Sequence, residues 1–273
     1  MNKIKFFALL AFSAMFFACG SQDGSPPELK NSQLGAISPF DTLRAEFNSE
    51  IVDIDKLDSS NIVSRQDVGI TCYGSCRELL FTGVNTTPGG ARYFSHTARD
   101  SIVFKKITNS DGYTTKNDLV LYFSTIPILD DIENHSNSSE AHAKDLDPFL
   151  TEITGRSVEF AGVLDHKISG NIFNMEDYYK LSLRMSDVIK ITAKARDTLN
   201  VTLTEPGRNS VNQTFGVKKG GSEERSYTIG SGHLDIDSGD PSNKLVDFII
   251  KVSDDNPSAP PNPYTLLISV SRP

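Results

Sequence analysis

The sequence predicts an all-β protein of two β-sandwich domains behind a cleaved leader and a flexible tether. Three observations carry that prediction. Short runs of β-branched, aromatic and alternating residues recur along the chain, as half-buried strands do. Clusters of Gly, Asn, Asp and Pro separate them, and no long stripe of helical period appears in the first half. A polar stretch over 128–156 then interrupts the pattern and divides a chain of 273 residues, a length that suits two domains.

The leader spans residues 1–18. Lys3 and Lys5 precede an apolar run from Phe6 to Ala18, broken by Ser13, which ends directly before Cys19. A basic start and a short apolar middle are the layout of a secretory signal. The run is too short for a spanning helix, which needs about 20 residues. Ala18-Cys19-Gly20 resembles the lipobox of bacterial lipoproteins, although Phe16 and Phe17 stand where that motif carries Leu and a small residue. The resemblance implies lipidation of Cys19 and a membrane anchor, and Gly20 rather than Asp after the cysteine implies the outer membrane. The plainer alternative is an ordinary signal cut near Ala18. Both readings send the protein out of the cytoplasm, to the envelope surface or the periplasm.

Residues 19–36 begin with Gly20 to Pro27, rich in Gly, Ser and Pro, and read as a flexible tether. The first sandwich is expected over 37–127. Thr42 to Phe47 alternates, Thr86 to Gly90 marks a loop, and Ser101 to Ile107 is a strand. Asn109 to Gly112 form a turn, and Asp118 to Ser124 is a further strand. The stretch Ser38 to Asp53, followed by Leu57 and Asn61-Ile62, resembles bacterial Ig-like domains of the surface-layer type. That resemblance implies a spacer.

Over 128–156 the sequence reads as a linker with one short helix between Glu140 and Leu150. Strands return at Ser157–Phe160, Tyr178–Leu183, Val188–Thr192, Leu199–Leu203, Val246–Val252 and Tyr264–Val270. Ser169-Gly170, Asp177 to Leu181, Asp187 to Ile191, Glu205-Pro206-Gly207 and Tyr264 to Leu266 resemble the bacterial pre-peptidase C-terminal domain. In this chain Arg184-Met185-Ser186 replaces the Gly that usually precedes the Asp. The resemblance covers about 157–273 and implies a jelly-roll-like sandwich with a binding or accessory role.

Composition narrows the partners. Loss of Lys3 and Lys5 with the leader takes the formal charge from −8 to −10. That balance argues against nucleic acid, whose binding rests on clustered Lys and Arg. With Cys19 lipidated, Cys72 and Cys76 are the remaining thiols, and in an oxidising compartment such a pair is most simply a disulfide. A copper or redox role calls for a partnering His or a helix N-terminus, and neither is visible near Cys72.

No Gly-x-Ser-x-Gly elbow, His-Glu-x-x-His pair or phosphate loop is present. Asp235, Asp237 and Asp240 resemble the start of a calcium loop without its distal Glu, which Asp254 or Asp255 would have to replace; the alternative is an acidic turn in water. Calcium is the one cofactor the residues suggest. His135, Glu140, His142 and Asp145 have metal-ligand chemistry but fall in the expected linker. Tyr178 and Tyr179 offer an aromatic ring to sugar, and as neighbours in a strand one faces the core and the other the surface. The absence of Trp weakens a sugar platform.

The resulting expectation is a non-catalytic, lipid-anchored envelope protein with a spacer module and an adhesion or binding module. Its partners would be the membrane, through the lipid, and an extracellular polymer or envelope protein. The alternatives are a secreted hydrolase with an unrecognised site and a purely structural envelope component.

Overall fold

A computed structural model describes residues 24–53, 60–73, 76–129, 135–152, 155–165, 174–205, 213–230, 245–254 and 260–272. The leader, Cys19 and the Asp235–Asp240 segment lie outside the described residues.

The protein is all-β, with two short 3-10 turns among the described residues, at Glu140–His142 and Asp147–Phe149. The first part holds nine strands: β1 (Gln33–Ile37), β2 (Leu43–Glu46), β3 (Ile62–Ser64), β4 (Val68–Tyr73), β5 (Glu78–Gly83), β6 (Asn85–Thr86), β7 (Arg92–Tyr93), β8 (Asp100–Phe104) and β9 (Leu119–Thr125). One sheet runs β1-β9-β8-β3 and a second runs β2-β5-β4, while β6 and β7 form a ribbon. Their inner faces meet in a core that includes Leu43, Phe47, Phe81, Ile102, Phe104 and Phe123. Phe104 meets Phe47 and Phe81 edge-on, with ring centroids 5.3 and 5.8 Å apart. That geometry adds to simple area burial.

The second part holds β10 (Lys144–Asp145), β11 (Ser157–Leu164), β12 (Glu176–Leu183), β13 (Val188–Ala195), β14 (Leu199–Thr204), β15 (Gln213–Val217), β16 (Ser222–Thr228), β17 (Val246–Ser253) and β18 (Asn262–Ser271). A four-stranded sheet, β11-β18-β13-β16, faces a five-stranded sheet, β10-β12-β17-β14-β15. Strict alternation in β12, β13 and β14 sends Tyr179, Leu181, Ile189, Ile191, Val201 and Leu203 into one core.

Two segments differ from the sequence reading. Part of the expected tether belongs to the first sandwich: β1 pairs in parallel with β9, Leu29 bridges Phe47, and the Asn109 side-chain amide donates to the Ser25 carbonyl at 2.9 Å. Apolar Leu29, Leu34 and Ile37 supply the reason, since all three pack against the core. The expected linker is likewise folded onto the second sandwich, and its one expected short helix is two 3-10 turns. Leu146 is fully buried in its core, β10 pairs with β12, and Ile128 bridges Ala161. The first 3-10 turn buries nothing, and the segment is anchored around the second, where Leu146, Phe149 and Leu150 pack against the core.

Strand β11 decides how the sandwiches meet. Phe160 and Leu164 face the second core, while Ala161 and Val163 on the opposite side pack with Phe40, Ala91 and Ile126 of the first part. The strand is therefore buried on both faces along Phe160–Leu164, the pattern of a strand inside a three-layer stack.

Candidate functional site

A chain of buried polar groups runs from the second core to the first sandwich. It starts at Tyr179, whose hydroxyl lies 2.6 Å from that of Tyr264. Tyr264 donates to Asp177 Oδ2 at 2.7 Å, so Tyr179 supplies the proton between the two phenols. Asn174 Nδ2 donates to Asp177 Oδ1 at 3.1 Å and lies 2.8 Å from His135 Nδ1. With Nδ1 accepting, Nε2 carries the proton and faces Asp165 Oδ2 at 3.5 Å. Asp165 ends the chain: its Oδ1 accepts from the Thr87 hydroxyl at 2.9 Å and its Oδ2 from the Gly89 N–H at 3.1 Å. Every member of the chain except Gly89 is buried.

Two glycines make this approach sterically feasible. Gly162 sits opposite Tyr264 in register, and a Cβ there would lie 2.4 Å from the tyrosine Cζ and Oη. A Cβ on Gly89 would lie 2.3 Å from Asp165 Oδ1. Burial pushes the Asp177 carboxyl up to about 6; the hydrogen bonds from Tyr264 and Asn174 pull against it, and the Asp165 charge adds to it. The Tyr179, Tyr264, Asn174, Thr87 and Gly89 donors are engaged by neighbours, while His135 Nε2 faces Asp165 without completing a hydrogen bond. The arrangement is that of a bridge, with Asp165 seated in the Thr87–Gly90 turn.

The sequence marked none of this as a unit. His135 was grouped with Glu140, His142 and Asp145, yet the structure buries His135 and leaves the other three exposed. His142 Nδ1 lies 2.9 Å from the Ser139 hydroxyl and Asp145 accepts from the Asp147 amide. Among the described residues no three His, Cys, Asp or Glu side chains gather as a metal set. Asp254 is buried and accepts from Asn262 Nδ2 at 3.0 Å; Asp235, Asp237, Asp240 and Asp255 lie outside the described residues. Cys72 and Cys76 are joined as a disulfide, with Cα atoms 5.3 Å apart, and Cys72 packs against the first core.

The tyrosine pair divides as strand geometry requires. Tyr179 points inward, and Tyr178 lies half-exposed on the outer face of the five-stranded sheet. Register aligns Tyr178 with Lys251, Lys251 with Thr202, and Thr202 with Thr214 across four strands. Glu176 accepts from the Tyr178 hydroxyl and pairs with Lys251, whose ammonium sits 5.8 Å from the Tyr178 ring centroid. Burial pushes the Glu176 carboxyl up, but the hydrogen bonds from Lys251 and Tyr178, with the Lys251 charge, outweigh it and hold it below its ordinary value. Burial and the Glu176 carboxylate raise the Tyr178 phenol, which stays protonated. The result is a fixed aromatic ring beside a cation and a line of hydroxyls.

No family model matches the chain, and no curated protein matches it. Among solved structures it is similar to a periplasmic inhibitor of g-type lysozyme from Aeromonas hydrophila, at 11% identity and a TM-score of 0.28, over 42% of this chain and 86% of that one. It is also similar to the pre-peptidase C-terminal domain of a collagenase from Bacillus anthracis, at 12% identity and a TM-score of 0.27, over 42% and 89%. The carbohydrate-binding module CBM36, in complex with calcium and xylotriose, matches at 19% identity and a TM-score of 0.22, over 42% and 98%. At these scores none of the three lends its activity to this chain.

Proposed function

We propose that this is a non-catalytic, lipid-anchored protein of the cell envelope. Its first sandwich acts as an Ig-like spacer and its second as the module that contacts an extracellular polymer. The observation that carries the reading is the register-aligned row Tyr178–Lys251–Thr202–Thr214 on the outer face of the five-stranded sheet. A ring and hydroxyls on a flat sheet suit a hydroxylated chain, because the ring covers C–H faces while the polar groups meet hydroxyls. The Asp165 bridge supports the spacer role, since a bridge of buried hydrogen bonds holds a fixed angle between modules where a bare linker would not. Cys19 supplies the anchor in this reading, and lipid attachment to the outer membrane follows from the lipobox resemblance.

The test is co-sedimentation of the full chain with insoluble neutral polysaccharides, paired with the Tyr178→Ala variant. Saturable retention that falls at least about tenfold in the variant supports the reading, the loss expected when a stacking aromatic anchor is truncated. Retention unchanged by Tyr178→Ala, or none for any polymer, removes the proposed face. Turnover of a polymer by the pure protein would replace the reading with a hydrolase.

A further inference from the structure

The first sandwich, read so far as a spacer, carries a second and independent feature. Tyr122 is 40% exposed in the middle of the outer face of its four-stranded sheet. Register places Gln33 on one side of it and Ser101 on the other. Arg65 follows directly after β3, at the far edge of the same row, because Ser64 pairs with Ile102. The Arg99 guanidinium lies over the Tyr122 ring, 5.4 Å from its centroid. Two grooves share Tyr122 and Arg99 as a common wall. One, of about 280 Å³, adds Arg65 and Ser101; the other, of about 360 Å³, adds Gln33 and Ser124.

This face places two arginines, without a carboxylate partner among the described residues, beside one aromatic ring. The chain is acidic, with a formal charge of −8, and Arg44, Arg225 and Arg272 each face a carboxylate. Among the described residues Arg65 and Arg99 have no such partner. The nearby carboxylate of Asp100 is turned inward, accepting from Gln66 Nε2 at 2.8 Å and from the Ser101 N–H at 2.7 Å. One row along, Val63, Val103 and Val120 continue the face with aliphatic surface, Val63 being 38% exposed. A guanidinium held over an aromatic ring is positioned to meet a planar anion, and two on one face suit anions repeated along a chain.

We infer that the outer face of β1-β9-β8-β3 is a binding groove for a glycan that bears carboxylates, a polyuronate. Tyr122 takes the C–H face of one sugar ring, Arg99 and Arg65 take carboxylates, and the grooves on either side of Tyr122 receive successive rings. This site is separate from the Tyr178 face, and either can fail without the other.

The experiment is titration calorimetry of the full chain with short oligogalacturonates, and with the same oligomers methyl-esterified to remove the charge. Thermal melts of every variant run in parallel. The expected result is saturable binding of the acid form, about tenfold or more weaker for the ester, as loss of charge-assisted hydrogen bonds requires. Tyr122→Ala, Arg99→Gln and Arg65→Gln each weaken binding with the melting temperature unchanged, whereas Tyr178→Ala leaves it intact. The inference is overturned by no binding, by equal affinity for acid and ester, or by indifference to Tyr122→Ala. Equal affinity for polyphosphate or single-stranded DNA also overturns it, since that would be charge attraction without recognition of a sugar acid.

Discussion

The two sandwiches bury different kinds of residue. The first closes over Phe47, Phe81 and Phe104, edge to face, with the Cys72–Cys76 disulfide at its margin. The second admits two tyrosines and Asp177 into an otherwise apolar interior that also holds Phe160, Phe215 and Phe248, and the polar groups continue as a chain toward the first. An apolar core tolerates many packings of similar volume, whereas a buried polar chain is favourable in one arrangement only. The comparison teaches that stability can be supplied by either core, while the angle between the sandwiches is supplied by the polar one.

Removing the terminal carboxylate is the largest way to break this contrast. Asp165→Ala leaves the Thr87 hydroxyl and the Gly89 N–H without their acceptor and His135 without the carboxylate it faces, at a cost of about 1–3 kcal/mol for each orphaned group. Calorimetry should resolve two transitions where the parent shows one, and protease should gain access to 128–156. A single transition merely shifted downward would show that the apolar contact of Phe40, Ala91 and Ile126 with Ala161 and Val163 suffices to couple them. Next, Gly162→Val forces the Tyr264 ring off β11 and should destabilise by about 1–3 kcal/mol; combined with Asp165→Ala, the loss should fall in the second sandwich's transition. Cys72→Ala acts on the other side of the comparison. Opening so short a loop costs about 2 kcal/mol in the chain-entropy account, and in the Asp165→Ala background it should move the first sandwich's transition while sparing the second.

A pH scan sharpens the contrast further. Asp177 sits at about 6 in the folded protein against an ordinary 3.8, so the folded state holds this proton more tightly than the unfolded chain. The stability it contributes is fully present below the unfolded value and is lost as pH rises through about 6. Asp177→Asn cannot titrate, and its melting temperature should run flatter than the parent's across that window. Parallel curves would mean that the carboxyl does not titrate there. The smallest effect belongs to Tyr178→Ala on the exposed face, expected within about 0.5 kcal/mol in stability, with its consequence read in polymer retention instead.

Much of the architecture is legible in the chain. Alternation in Tyr178–Leu183 and Val188–Thr192 located β12 and β13 and separated Tyr178 from Tyr179 by face. Strand β16 escaped notice because its exposed polar sequence, Ser222–Thr228, lacks an apolar alternation. The His135 bridge escaped for a different reason. Its members stand at 87, 135, 165, 174, 177 and 264, each an ordinary polar residue near turns or strand ends, with no spacing that distinguishes a buried group from a solvated one.

By itself the sequence determined the strand class, the inward side of the regular strands and the pairing of Cys72 with Cys76, because these follow from residues close together along the chain. Only the tertiary structure decided that the segments before β1 and β11 are packed rather than free, that Asp165 seats in the Thr87–Gly90 turn, and that Arg65, Arg99 and Tyr122 share one face. Those outcomes rest on contacts between residues far apart in sequence, whose free energy exists only once the sheets have brought them within hydrogen-bond or van der Waals range.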